Sequence, residues 1–204
     1  GTGYGTVYLV DHMLKTKGHT METKTVCISG SGNVALYAAE KVNQLGGKVV
    51  TLSDSSGFIH DPNGITEKKL EHIKYLKTVK RVRINEYLNE YPEAKFYADQ
   101  KPWSIACDVA LPCATQNEID EDDAKSLLKN GCIAVSEGAN MPTTFEGIKC
   151  FQDAKILFAP SKAANAGGVA ISGLEMSQNS ARISWKEAEL QKLLFDIMEN
   201  IHLE

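Results

Sequence analysis

The chain has 204 residues, 43% of them apolar and 24% charged, which suits a packed globular core and excludes a disordered chain. Its 22 basic and 26 acidic side chains leave a net charge of −4, which argues against non-specific nucleic-acid binding, because that needs basic surface. No apolar run reaches the roughly 18 residues that a membrane span requires, and no basic-then-apolar leader opens the sequence, so a cytoplasmic protein is expected.

Taken in chain order, the pattern is an alternation of short apolar runs and helical stretches. Tyr4 to Leu14 is predicted helical, with Tyr4, Val7, Tyr8 and Leu14 apolar. Thr25 to Ser29 reads as a strand, and Asn33 to Leu45 as a helix ended by Gly46-Gly47. Lys48 to Ser53 is a second strand. Phe58 to His60 is a third, bounded by the turn signals Ser55-Ser56-Gly57 and Asp61-Pro62-Asn63-Gly64. A helix follows from Thr66 to Thr78, with Thr66 as its expected cap.

Alternation then resumes with a strand at Ala106–Leu111, a helix at Asp120–Asn130 and a strand at Ile133–Ser136. A helix at Thr144–Gln152 and a strand at Lys155–Ala159 complete it. The run Asp120-Glu121-Asp122-Asp123 reads as a helix start, where carboxylates favour the dipole, and not as a cation site. Val169–Arg182 and Trp185–His202 are predicted as two long helices, with Trp185 anchoring the last. Short apolar strands separated by helices indicate an α/β fold: a Rossmann-like, doubly wound, mostly parallel sheet with helices on both faces and extra terminal helices. One dinucleotide-binding domain is expected over residues 1–204, with its core at about 20–162 and a helical region at about 163–204.

The five cysteines, at 27, 107, 113, 132 and 150, form no CxxC pair, which argues against a disulfide framework or a structural zinc site. Cys27, Cys107 and Cys132 lie in apolar runs and are expected as buried thiols. The five histidines share no metal-ligand spacing, so no metal is expected. Trp103, after Pro102, is expected to pack a loop.

Gly30-Ser31-Gly32-Asn33-Val34-Ala35 follows the first full strand and opens a helix. This is the G-x-G-x-x-A form of the dinucleotide fingerprint. Gly30 permits the sharp turn, Gly32 lets backbone approach a pyrophosphate, and Ala35 keeps the helix against the sheet. The helix N-terminus offers free N–H groups to the phosphates. A glycine-rich first turn also serves S-adenosylmethionine, which stands as the rival ligand.

Asp54 closes the second strand, where a carboxylate usually accepts the ribose 2′-OH and favours NAD. Ser53 and Ser55 flank it, and Lys77, Lys80, Arg81 and Arg83 cluster downstream, which suits a 2′-phosphate. Local chemistry leaves NAD and NADP even.

Six stretches now fall in order: Thr2-Gly3-Tyr4-Gly5; the turn at 30–35; Ser53-Asp54-Ser55-Ser56-Gly57; Leu111 to Glu118; Glu137 to Thr144; and Ala163 to Val169. Together they resemble the hexameric NADP-type glutamate dehydrogenases over nearly the whole chain. That resemblance implies reversible reductive amination of 2-oxoglutarate with ammonia and NADPH, in a homohexamer. It implies a substrate domain, absent here, followed by a Rossmann-like domain with one strand reversed. The family's substrate lysines, catalytic lysine and catalytic aspartate belong to the first domain, so no catalytic residue is assigned and the chain alone is expected to be inactive. Lys24, Lys48 and Lys162 lie outside that motif.

By the same resemblance, Thr2 and Asn33 are expected at the pyrophosphate and ribose, with Gly30, Ser31, Gly32 and Val34 forming the phosphate turn. Ala114, Thr115, Gln116 and Asn140 are expected at the nicotinamide side, with Asn165 in the loop closing toward it. Ser172 is expected at the substrate's distal carboxylate. Ser53, Asp54, Lys77 and Lys80 are expected around a 2′-phosphate, with the Asp54 carboxylate either pointing away or pairing with Lys77, so NADP is favoured over NAD. The alternatives are a related dehydrogenase for an aliphatic or aromatic amino acid, and a non-catalytic dinucleotide-binding module.

Overall fold

The structure, a computed structural model, describes residues 2–161. Asn165, Ser172, Trp185 and the two expected C-terminal helices lie outside the described residues.

A helix, α1 (Thr2–Thr16), precedes the first strand, β1 (Thr25–Ser29). There follow α2 (Asn33–Gln44), β2 (Lys48–Asp54), β3 (Gly57–His60) and α3 (Glu67–Tyr75). A short α4 (Tyr87–Glu90) leads to β4 (Lys95–Ala98), and β5 (Val109–Pro112), α5 (Glu121–Lys129), β6 (Ala134–Ser136), α6 (Phe145–Asp153) and β7 (Leu157–Ala159) complete the order.

The seven strands form one sheet in the order β4-β3-β2-β1-β5-β6-β7. β2, β1, β5, β6 and β7 run parallel, and β3 alone opposes its neighbours on both sides. A sheet with one reversed strand is what the sequence resemblance implied. β1 sits between β2 and β5, so the chain reverses its direction of travel across the sheet there, the usual place for a ligand crevice.

Alternate side chains of the central strands feed two cores. Val26, Ile28, Val49, Leu52, Val109 and Leu111 pack with α1, α2 and α3. Cys27, Val50, Ala110 and Val135 point the other way, into a second core with residues of α5 and α6. Apolar residues on both faces of each strand are what a parallel sheet covered on both sides demands.

Several boundaries differ from the sequence reading, each for a local reason. β4 has no counterpart in the sequence reading, being a four-residue edge strand with two exposed and two half-buried side chains. It is held by pairing with β3 and by the stacked rings of Phe58 and Tyr97, 4.8 Å apart. The fifth strand starts at Val109, not Ala106, because the Asp108 carboxylate turns back to accept the Thr25 amide at 2.8 Å. The helix expected to reach Thr78 ends at Tyr75 and widens into a π turn, Leu76–Lys80, closed by Arg81 at φ +55°.

Thr66 occupies the N-cap position of α3, but its side chain makes no capping bond. Asp120 does cap α5, forming a reciprocal box with Asp123, and Thr144 caps α6 through the Gly147 amide. Trp103 lies in the second core, 1% exposed, and not merely under a loop. Cys27, Cys107 and Cys132 are buried and free.

Candidate functional site

The site gathers at the carboxyl ends of β1, β2 and β5. After Ser29 the chain turns at Gly30, whose φ of +89° is a left-handed conformation that glycine adopts at little cost. A methyl group there would stand 2.7 Å from the Cys113 carbonyl oxygen, so Gly30 also lets β1 and the end of β5 approach. Ser53, at the end of β2, fixes the turn from the other side. Its hydroxyl oxygen accepts the Gly30 amide at 2.7 Å, and its own amide donates to the Gly30 carbonyl at 3.0 Å.

Gly32 is the N-cap of α2, with extended backbone and no side chain capping the helix. The first-turn amides of α2 therefore face outward, with the positive end of the helix dipole behind them. A Cβ placed on Gly32 would meet no protein atom within 4 Å. Packing therefore does not require glycine at this position. Ala35 is fully buried, as close contact with the sheet requires.

In front of the turn lies a cleft of about 550 Å³ whose lining includes Gly30, Ser31, Gly32, Ser53, Asp54, Ala114 and Thr115. The structure therefore brings together seven of the residues expected at a cofactor. Thr2, Asn33 and Val34 stand alongside: Gly3 of α1 comes so near α2 that a methyl group on it would lie 2.5 Å from the Val34 carbonyl oxygen, which seats the start of α1 against the first turn of α2. Gln116 and Asn140 are exposed on loops after β5 and β6 at the same sheet edge. These loops are tied by the Asn117 amide donating to the Met141 carbonyl at 3.0 Å.

Lys77 lies behind the cleft. Its ammonium bridges Asp54 Oδ2 at 3.0 Å and the Val82 carbonyl at 3.2 Å. Lys80 is exposed near the end of the π turn. Burial pushes the Asp54 carboxyl up, but hydrogen bonds from Ser56, the Ile84 amide and Lys77 outweigh it and hold the group below its ordinary value.

Sequence reasoning missed three groups that shape the site. Glu118, 6% exposed, accepts the amides of Ala114 and Thr115, both at 3.0 Å, and so folds the loop that lines the cleft. Burial raises its pKa against the opposing pull of Ser29 and those amides. Glu137, also buried, ties the Thr143 amide at 3.2 Å to the Ser161 amide at 2.9 Å, and burial raises it likewise. The loop after β4, with Asp99 and Lys101, forms the far wall. The signal for Glu118 and Glu137 was their place in the two loop motifs; nothing local marked the β4 loop.

Among the described residues no group of histidine, cysteine and carboxylate side chains is placed to hold a metal ion. Compared with known proteins, the sequence matches the glutamate/leucine/phenylalanine/valine dehydrogenases over residues 1–204. The chain belongs to this dehydrogenase family. It is 58% identical over 201 residues to a glutamate dehydrogenase of Bacteroides thetaiotaomicron, covering 98% of this chain and 45% of that protein. An NAD(P)-specific glutamate dehydrogenase of Xylanibacter ruminicola is equally similar, 58% over the same coverage. The crystal structure of Plasmodium falciparum glutamate dehydrogenase superposes with a TM-score of 0.81 at 52% identity, over 99% of this chain and 43% of that one. Other relatives carry NADP-specific or NAD-specific in their names. This family member thus spans less than half the length of the relatives it matches.

Proposed function

We propose that the chain is the nucleotide-binding half of a glutamate dehydrogenase, holding a nicotinamide dinucleotide, NADP in preference to NAD, for reductive amination of 2-oxoglutarate with ammonia. One observation carries this reading: the left-handed turn at Gly30 aims the uncapped N-terminus of α2 into a cleft, and the Cβ direction of Gly32 is open. Those features fit a pyrophosphate, which needs unblocked amides, a positive helix end and no side chain in the way.

Ser31 and the amides of residues 32–34 bind the bridging phosphates, with Thr2 and Asn33 at their flank. Ala114, Thr115 and Gln116, held by Glu118, and Asn140 line the nicotinamide side, where uncharged polar groups suit a carboxamide and ribose. Asn165 and Ser172 are proposed to complete that side toward the ring and the substrate. The bound nucleotide supplies the hydride; the chain's own residues bind it, orient it and bury its diphosphate. Substrate lysines and proton-transfer groups are assigned to the part of the relatives that this chain does not span, and a homohexamer in the cytoplasm is the expected assembly.

Titration of the chain with NADPH, NADH and S-adenosylmethionine, followed by ligand fluorescence or calorimetry, tests the reading. NADPH is expected to bind tightest, NADH more weakly and S-adenosylmethionine not at all, with no turnover of 2-oxoglutarate and ammonia by the chain alone. Binding of S-adenosylmethionine alone, or of none of the three, refutes it.

A further inference from the structure

Resting on the nucleotide-binding reading above, we propose that Glu137 is a positioning residue for the nicotinamide end: its buried carboxylate ties off the loop that carries Asn140, and so sets the grip on the ring half of the nucleotide and not on the adenosine half.

The loop of residues 138–144 leaves β6 at the sheet edge. Its near end is seated by the sheet itself. The Gly138 and Ala139 amides both donate to the Pro112 carbonyl at the end of β5, at 2.9 and 3.0 Å. A methyl group on Gly138 would lie 2.5 Å from Cys113 Sγ and 3.2 Å from Val34 Cγ1. The loop therefore begins hard against a residue of the cleft wall and the first turn of α2.

The far end has no strand beneath it. The Asn117 amide reaches the Met141 carbonyl at 3.0 Å and the Ile119 amide reaches the Pro142 carbonyl at 2.9 Å, but Asn117 and Ile119 lie on a connection themselves. Glu137 supplies the anchor to the sheet. Its Oε2 accepts the Thr143 amide at 3.2 Å, and its Oε1 accepts the Ser161 amide, just beyond β7, at 2.9 Å. The Glu137 amide donates to the Ala159 carbonyl at 2.9 Å, so the carboxylate is fixed between the ends of β6 and β7. It is 3% exposed.

Asn140 is exposed between the two fastened ends, and Met141 after it holds φ +47°. A left-handed residue with a long side chain persists only where its surroundings impose it. The bond at Thr143, two residues on, closes the loop and imposes it. Without that bond the loop relaxes, and Asn140 is no longer held where a carboxamide or ribose can meet it. The phosphate turn is unaffected, because Ser53 seats Gly30 independently of this loop.

Glutamine at 137 accepts only one of the two amides and turns its own NH2 donors toward the other. A loop correctly placed about a tenth of the time raises the apparent Kd about tenfold.

The test is equilibrium titration of the chain and its variants, by calorimetry, with NADPH and with 2′-phospho-ADP, the same nucleotide without its nicotinamide riboside. Glu137→Gln is expected to raise the Kd for NADPH about tenfold and to leave that of 2′-phospho-ADP within about twofold. NADH and ADP give the same split, because the missing riboside is the same in both pairs. Should Glu137→Gln fail to fold, Glu137→Asp decides the matter: it keeps the charge but, one methylene shorter, does not span both amides, and the same selective loss is expected. Asn140→Ala weakens NADPH selectively, and the double variant Glu137→Gln with Asn140→Ala binds NADPH no worse than Asn140→Ala alone, because both act through one side chain.

Equal loss of NADPH and 2′-phospho-ADP means that the carboxylate supports the cleft as a whole. Unchanged NADPH affinity means that the loop stands without it, and additive losses in the double variant mean that it does not act through Asn140. Each of these overturns the inference and leaves the nucleotide-binding reading intact. Wild-type chain that binds none of the four nucleotides overturns that reading, and the role of Glu137 with it.

Discussion

Two glycines two positions apart give opposite expectations when each is replaced by alanine. At Gly30 the φ of +89° imposes about 1–2 kcal/mol on any residue with a Cβ. The new methyl also meets backbone: the Cys113 carbonyl oxygen at 2.7 Å and its carbon at 3.1 Å. Neither can retreat freely, because Ser29 pairs with Pro112 in the β1–β5 ladder and the Pro112 carbonyl already receives the Gly138 and Ala139 amides. Strain and clash together are worth about 3 kcal/mol, which lowers the melting temperature by roughly 6–12 °C in a chain of this size. At Gly32 φ is −81° and the methyl meets nothing. Lost cap preference and reduced unfolded-state entropy offset one another there to within about 1 kcal/mol. The methyl instead occupies the mouth of the cleft, so NADPH affinity should fall by about tenfold or more, equivalent to roughly 1.4 kcal/mol. Urea unfolding and fluorescence titration of the two variants separate these effects. Gly32→Ala that binds NADPH like the parent, or that is as unstable as Gly30→Ala, refutes the argument.

Three further perturbations probe the frame around the site. Asp61 is fully buried and accepts Tyr87 Oη at 2.6 Å, Lys69 Nζ at 2.9 Å and the Asn63 amide at 3.1 Å, so Asp61→Asn is expected to cost about 3 kcal/mol in urea unfolding. Burial pushes its carboxyl up, but the bonds from Tyr87 and Lys69 hold it below the ordinary value; its stabilisation is present above that value and lost as pH falls through the folded pKa, so Asp61→Asn should flatten the acid limb of stability below about pH 4. Glu118→Ala leaves the Ala114 and Thr115 amides without their acceptor, and should weaken both nucleotides about equally, by roughly threefold to tenfold, while the chain stays folded. Gly57→Ala, at φ +145° and against the Tyr97 carbonyl, should detach the β3–β4 edge, seen as faster amide exchange in β4 with the central strands unchanged.

Much of the frame was legible because parallel strands buried on both faces advertise themselves. Thr25–Ser29 was assigned to the residue, and the ends of most other elements fell within a few positions, since glycines and caps such as Asp120 and Thr144 punctuate them. β4 escaped because four residues at a sheet edge, two exposed and two half-buried, carry no period long enough to read; pairing with β3 makes the strand. The π turn at Leu76–Lys80 escaped because its cause is remote. Nothing within Leu76–Lys80 calls for a widened turn, but the Asp54 carboxylate, more than twenty residues earlier, draws in Lys77 and the Ile84 amide at once.

The candidate site divides the same way, and the division has a physical basis. Residues that face the cleft belong to motifs of special backbone geometry, and glycine at positions 30 and 32 states that geometry openly. Residues that hold the cleft from behind do so through long-range contacts that leave no trace in local spacing. Ser53 looks like a phosphate donor in sequence, and its hydroxyl oxygen also accepts the Gly30 amide and so seats the turn. Asp54 looks like a ribose acceptor, yet every lone pair is engaged by the protein itself. In both cases the side chain is of the right type at the right place, and the backbone next to it has the prior claim. The end of an element thus reports a ligand where its backbone amides find no side-chain acceptor, which is the condition met by the uncapped first turn of α2 and not by the end of β2, where Ser53 and Asp54 accept the amides around them.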